Sequence, residues 1–146
     1  MSENLTDCIF CKIVRREFPA SIICEDDKVI AILDIKPFSP GHTLVIPKEH
    51  VENIYDIPED TIAHLYKIVK KLAIAVKKGI KSEGISIIQS NEAAGSQGIF
   101  HFHTHIIPRY YGDKIHQVGV IWESGVTVEP EELNPFAEKI KNALGG

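Results

Sequence analysis

The sequence predicts an α+β fold, a mostly antiparallel sheet carrying one long helix and a C-terminal helix. Three observations lead there. β-rich runs succeed one another early in the chain with no helix between them. The apolar period then switches to the helical one over a single long stretch from Pro58. Strand-like runs resume after it, without the regular alternation that βαβ units impose. The 146 residues suit one domain spanning 1–146, and no repeat, low-complexity tract or linker divides them. With 44% hydrophobic and 25% charged residues the composition is globular, not the polar mixture that stays unfolded.

A short helix over Cys8 to Glu17 comes first, with Ile9, Phe10, Ile13 and Val14 at helical spacing and a stop near Pro19. Ser21 to Glu25 and Lys28 to Ile35 read as two strands of a hairpin turning at Asp26-Asp27. The loop Lys36-Pro37-Phe38-Ser39-Pro40-Gly41 then leads into a strand from His42 to Pro47. Ile62, Leu65, Ile68, Val69, Leu72 and Val76, with lysines between them, make an amphipathic helix from Pro58 to Lys78, capped by Gly79 or Gly84. Ile85 to Ser90 is a strand, 91–98 a glycine-containing loop, and Phe100 to Pro108 the next strand. Gln117 to Glu123 reads as an edge strand and Pro130 to Leu144 as a closing helix.

Charge narrows the function. Sixteen basic against 20 acidic residues leave a net charge of −4, and no dense Lys/Arg block offsets it, so nucleic-acid binding by phosphate neutralisation is not expected. No run of about 18 apolar residues and no leader pattern is present, so a membrane span is not expected either. A cytoplasmic protein is the expectation. Three cysteines, two of them as Cys8-x-x-Cys11, do not resemble a secreted disulfide frame. The pair reads as a zinc half-site, a redox pair at a helix start, or packing.

The run His101-Phe102-His103-Thr104-His105 carries the chemistry. On a strand, alternate side chains share a face, so three imidazoles project to one side. Burying them costs solvation unless each finds a hydrogen bond or a ligand. A metal-only reading competes, because His-x-His on a strand with a distant third histidine builds some catalytic zinc sites, and His42 and His50 lie near the preceding strand.

His101-Phe102-His103-Thr104-His105-Ile106-Ile107 resembles the signature of the histidine-triad (HIT) superfamily. The resemblance extends over Asp7 to Ile13, Leu33-Asp34-Ile35, Gly41 to His50 and Pro108-Arg109, in that order, and points to the Hint-type branch. It implies the HIT-like fold and a homodimer holding a purine nucleotide or nucleotide conjugate. His103 then matches the nucleophile that attacks the α-phosphorus of a nucleoside phosphoramidate or dinucleoside polyphosphate and forms a nucleotidyl-histidine that water hydrolyses. For that, its other nitrogen should donate to an acceptor that fixes the tautomer. His105 and His42 match positions that contact phosphate oxygens and, protonated, would stabilise developing charge. Asp34 matches the carboxylate that holds ribose hydroxyls, and Phe10 and Ile13 match the apolar slot for the base. Asn91, Ser96 and Gln97 match positions that approach the phosphates. Gly98 departs from the pattern: many Hint-type proteins have a serine there, near the leaving group. The resemblance also implies a structural zinc on Cys8, Cys11, His50 and His101. Two alternatives stand beside this: a nucleotide-binding module with vestigial turnover, and a zinc hydrolase using the triad as ligands.

Overall fold

The computed structural model describes residues 7–113 and 127–145; the expected edge strand over 117–123 lies outside them, as does His116. The elements, in order, are α1 (Ile9–Val14), β1 (Ile22–Glu25), β2 (Val29–Leu33), β3 (Thr43–Pro47), α2 (Glu59–Ile80), β4 (Gly84–Gln89), β5 (Thr104–Arg109) and α3 (Pro130–Gly145). Among the described residues five strands form one sheet in the order β1-β2-β3-β5-β4, every neighbouring pair antiparallel. The α+β expectation holds.

Both faces of the central strands are buried, which is why β2 and β3 read as continuous apolar runs. Val29, Ala31, Leu33, Val45, Phe102 and Ile106 pack under α2 and α3. Ile30, Ile32, Leu44 and Ile46 pack on the opposite face, under α1. Each fully buried side chain of this kind contributes about 1.5–3 kcal/mol. The division places the alternate residues of β5, including His105, on the α1 side. That side carries the candidate site.

The β1–β2 turn forms where expected, with Asp26 accepting at Oδ1 from the backbone N–H of Lys28 (2.8 Å) and Val29 (2.9 Å). α1 ends sooner than the Pro19 stop suggests. Arg16 adopts φ 62° and the Glu17 N–H closes back on the Lys12 carbonyl at 2.8 Å, a left-handed terminus without glycine. At the end of α2, too, the cap is not a glycine: Lys81, at φ 63°, takes the left-handed position.

Gly79 serves a different purpose. A Cβ there would lie 2.6 Å from the Lys139 carbonyl oxygen of α3, so the glycine lets two helix backbones meet. Gly79→Ala gains up to about 1 kcal/mol of helix propensity, but it must force apart two backbones at a cost of about 1–3 kcal/mol. The expected net result is destabilisation, seen as a lower urea midpoint at unchanged slope.

The triad segment starts its ladder late. β5 begins at Thr104, paired with Val45 of β3 and Gln89 of β4. Phe102 instead sends its N–H to the Val51 carbonyl at 2.7 Å. His101 and His103 therefore lie on a bonded but non-ladder segment, and the expected strand is shorter at its start.

Candidate active site

A cavity of about 380 Å³ opens on the α1 face, within the roughly 300–1,000 Å³ range of small-molecule sites. Its apolar wall includes Ile9, Phe10, Ile13 and Phe18; its polar wall includes Asp34, His103 and His105. The chain thus brings together one apolar slot, one carboxylate and two imidazoles. Phe10 joins the two regions, its ring edge-on to His101 and His103 with centroids 5.6 and 5.2 Å away.

Backbone groups fix the imidazole protons. Nδ1 of His103 lies 2.7 Å from the His101 carbonyl oxygen. A carbonyl only accepts, so Nδ1 carries the proton and Nε2 is left with a bare lone pair. Nδ1 of His42 lies 3.0 Å from the Phe38 backbone N–H, which only donates. His42 therefore holds its proton on Nε2, 2.9 Å from Nδ1 of His105, and passes a hydrogen bond to that ring. Asp34 Oδ2 is 3.6 Å from the same His42 nitrogen, while Asp34 Oδ1 accepts from the Lys36 N–H at 2.8 Å.

His42 is buried and His105 half-buried, and Nδ1 of each already accepts a hydrogen bond, which favours the neutral rings over the protonated forms considered from the sequence. Burial pushes His42 down to about 4 against the pull of Asp34, and pushes His105 down to about 2, with His103 and His42 adding to the shift. His103 is lowered too, mainly by burial, opposed by its bond to the His101 carbonyl. An imidazole with a depressed pKa withholds in the folded state a proton that the unfolded chain accepts below its ordinary value of about 6.5. Stability is therefore complete above about pH 6.5 and is lost as the pH falls toward 4. Urea melts at pH 7.5, 5.5 and 4.5 should show a midpoint that falls with pH, and less steeply in His42→Asn than in the natural chain.

His101 turns away from the cavity. Its Nε2–H donates to the Pro47 carbonyl at 2.8 Å, leaving Nδ1 bare beside Cys8 Sγ at 3.3 Å, His50 Nδ1 at 3.1 Å and Cys11 Sγ at 3.7 Å. Cys11 Sγ is 3.3 Å from His50 Nδ1. A tetrahedral zinc ion with ordinary bond lengths requires ligand–ligand separations of roughly 3.3–3.8 Å, so these four residues fit one. Burial, with the neighbouring Cys11 thiol adding to it, pushes the Cys8 thiol up to about 12, a cost that a divalent cation would reverse by stabilising the thiolate. Such an ion would tie α1 to the triad segment.

Among the described residues, the three triad imidazoles do not converge as ligands. The other group with metal-like spacing is Asp34, His42 and His105. There His42 Nε2 keeps its proton because Nδ1 accepts from Phe38, and a protonated nitrogen cannot ligate. That undercuts the reading of the triad as a zinc-hydrolase centre.

Ser96 and Gly98 line the cavity; Asn91 and Gln97 do not. The Asn91 carbonyl oxygen accepts from the Ile54 N–H and from Gln89, both at 2.8 Å. The buried Gln97 amide binds Glu92 N–H, the Glu52 carbonyl and the Ile99 carbonyl. Both amides are used to hold the loop, which contains two left-handed non-glycine residues, Glu92 and Ser96. Sequence reasoning missed Lys36 on the cavity wall. It also missed the backbone groups of Phe38 and His101 that set the tautomers, for which sequence carries no signal.

This fold and site define a histidine-based small-molecule site in which one imidazole has a bare nitrogen and its neighbour an N–H. The chain belongs to the HIT family: a HIT domain model matches residues 15–112. It is 36% identical over 137 residues to the adenosine 5′-monophosphoramidase of Schizosaccharomyces pombe, covering 94% of this chain and 98% of that one. It is 42% identical over 103 residues to an adenylylsulfatase of Arabidopsis thaliana, covering 70% of this chain and 52% of that one. Among solved structures, a HIT-like protein from Bartonella henselae matches with a TM-score of 0.86 at 40% identity, over 98% of this chain and 99% of that one. A zinc-bound histidine triad protein from Mycobacterium smegmatis matches with 0.82 at 34%, over 97% and 96%.

Proposed function

We propose that this protein is a nucleotide hydrolase that transfers a nucleotidyl group from the α-phosphate of a nucleotide conjugate to His103 and then to water. The observation that carries the reading is the bare Nε2 of His103, held by the His101 carbonyl at the end of an apolar cavity that also presents Asp34. The apolar slot around Phe10 and Ile13 takes the purine, and Asp34 accepts from the ribose hydroxyls. Nε2 attacks phosphorus, the leaving group departs with the electrons of its bond, and water cleaves the N–P bond. His105, and His42 through it, supply hydrogen bonding to the phosphoryl oxygens. Ser96 lines the same cavity, and Asn91 and Gln97 act by holding its loop. That relatives are named as a phosphoramidase and an adenylylsulfatase supports chemistry at an adenylyl phosphorus.

Two displacements invert phosphorus twice. With a substrate chiral at the α-phosphorus, the nucleoside monophosphate product should retain configuration; inversion would mean direct attack by water and would sink the nucleophile assignment.

Cys8, Cys11, His50 and His101 hold a structural zinc in this reading, supported by their spacing and by the zinc-bound relative. The ion supplies cross-linking, and the chemistry belongs to His103. Thiols in a metal-binding arrangement suit the reducing cytoplasm. A homodimer is also part of the proposal. Among the described residues β4 is an edge strand on which Ile87 is 47% exposed, and Tyr66 and Ile74, two turns apart on α2, are exposed too. Ile87→Lys should shift sedimentation toward the monomer; a natural chain that sediments as a monomer would refute the dimer.

A further inference from the structure

We propose that the apolar slot continues into a second groove, and that the protein accepts purine nucleotides enlarged at position 6 of the base by an uncharged alkyl or aryl group. This rests on the reading above, in which the slot takes the purine and His103 attacks the α-phosphorus; what it adds is the class of base.

The groove follows from how the chain leaves α1. Arg16, at φ 62°, ends the helix, and Pro19, with no N–H to donate, keeps it from resuming. The chain then returns as β1, where Ile22 packs on the α1 side of the sheet. A groove of about 330 Å³ lies there, lined by Arg16, Glu17 and Ile22 and by four residues that also line the 380 Å³ cavity: Ile13, Phe18, Pro19 and Ala20. The two spaces therefore share a wall. Ala20 contributes only a methyl group to it, so no bulky side chain at that position divides them.

The order of groups fixes which part of a nucleotide enters. Asp34, Ser96, His103 and His105 line the cavity but not the groove. The ribose, the phosphate and the leaving group thus belong to the other end. A purine is joined to its ribose through N9 and turns its six-membered ring away from the sugar, with the substituent of carbon 6 on that far edge. A group attached there extends from the slot into the groove.

The groove wall discriminates against charge. The Arg16 guanidinium donates to the Ile13 carbonyl at 3.3 Å and pairs with Glu25. Glu17 pairs with Arg15 at 2.8 Å. Both charges have partners already, and the other lining residues are apolar. Phe18, a shared residue, is 39% exposed; a substituent lying over its ring would remove apolar surface from water.

The test uses the full chain with adenosine 5′-phosphoramidate and its N6-benzyl and N6-(4-carboxybenzyl) analogues. Complete burial of a phenyl-sized group is worth about tenfold or more in affinity, and an open groove covers part of it. The benzyl analogue should therefore show kcat/KM about three- to tenfold above the parent, through a lower KM at unchanged kcat. The carboxybenzyl analogue should show no gain. Ile22→Trp, which fills the groove, should remove the benzyl gain and leave the parent rate unchanged; Ile22→Phe, a smaller step of the same kind, should remove part of it. A benzyl analogue no better than the parent, or a gain that survives in both variants, would overturn the inference while leaving nucleotidyl transfer intact. An equal gain for the carboxybenzyl analogue would overturn the selection against charge. No cleavage of any of the three would overturn both readings.

Discussion

His103→Gly should lower kcat by about 10⁴-fold or more, the scale on which loss of a covalent nucleophile is felt, and free imidazole should restore part of the rate. The glycine variant removes the ring whose Nε2 attacks and opens space for an added imidazole beside the His101 carbonyl. Steady-state release of nucleoside monophosphate, with and without imidazole, measures this. His105→Gln should cost less, about 10²–10³-fold, because it removes one hydrogen-bond donor and leaves the nucleophile in place. Equal losses in the two variants, with no rescue of the glycine variant, would mean that His103 has no special place in the reaction.

The second large effect concerns the metal. One zinc per chain should be found in the purified protein, and Cys11→Ser should release it. Zinc sites carry about 10–16 kcal/mol of apparent binding energy where they fold small domains. Here a sizeable core remains under α2 and α3, so the chain should stay folded but melt lower, by about 10 °C or more. Phe10, next to the ligand Cys11, lines the cavity and touches both His101 and His103. Nucleotide affinity should therefore fall with the melting temperature. Chelation that stopped turnover at once and left the melting temperature unchanged would instead place the metal at the reacting centre.

Much of this was legible in the sequence for identifiable reasons. The period change at Pro58 announces α2, because an amphipathic helix has one apolar stripe whatever its surroundings. Asp26-Asp27 announces the hairpin, since Asp bonds its own turn. Alternation along 101–105 correctly puts His103 and His105 on one wall of one cavity. Helix ends were harder: the left-handed positions fall on Arg16 and Lys81, residues whose type does not favour that conformation as glycine does. Gly79 reads as a cap and acts as a contact point between helices. Asn91 and Gln97 look like phosphate ligands by type, yet their amides close a loop. The tautomers of His42 and His105 could not be read, because they are set by one backbone N–H, for which the sequence carries no signal.

The decisive measurement is a rapid-quench experiment with an adenosine 5′-phosphosulfate substrate, in which protein is trapped within the first turnover and its peptides are analysed by mass spectrometry, with zinc determined on the same samples. An acid-labile adenylyl group on the peptide containing His103, absent from His103→Gly at equal zinc content, is the expected result. Product forming in the first turnover with no adduct on that peptide, or zinc lost when His103 is removed, would contradict covalent catalysis by His103.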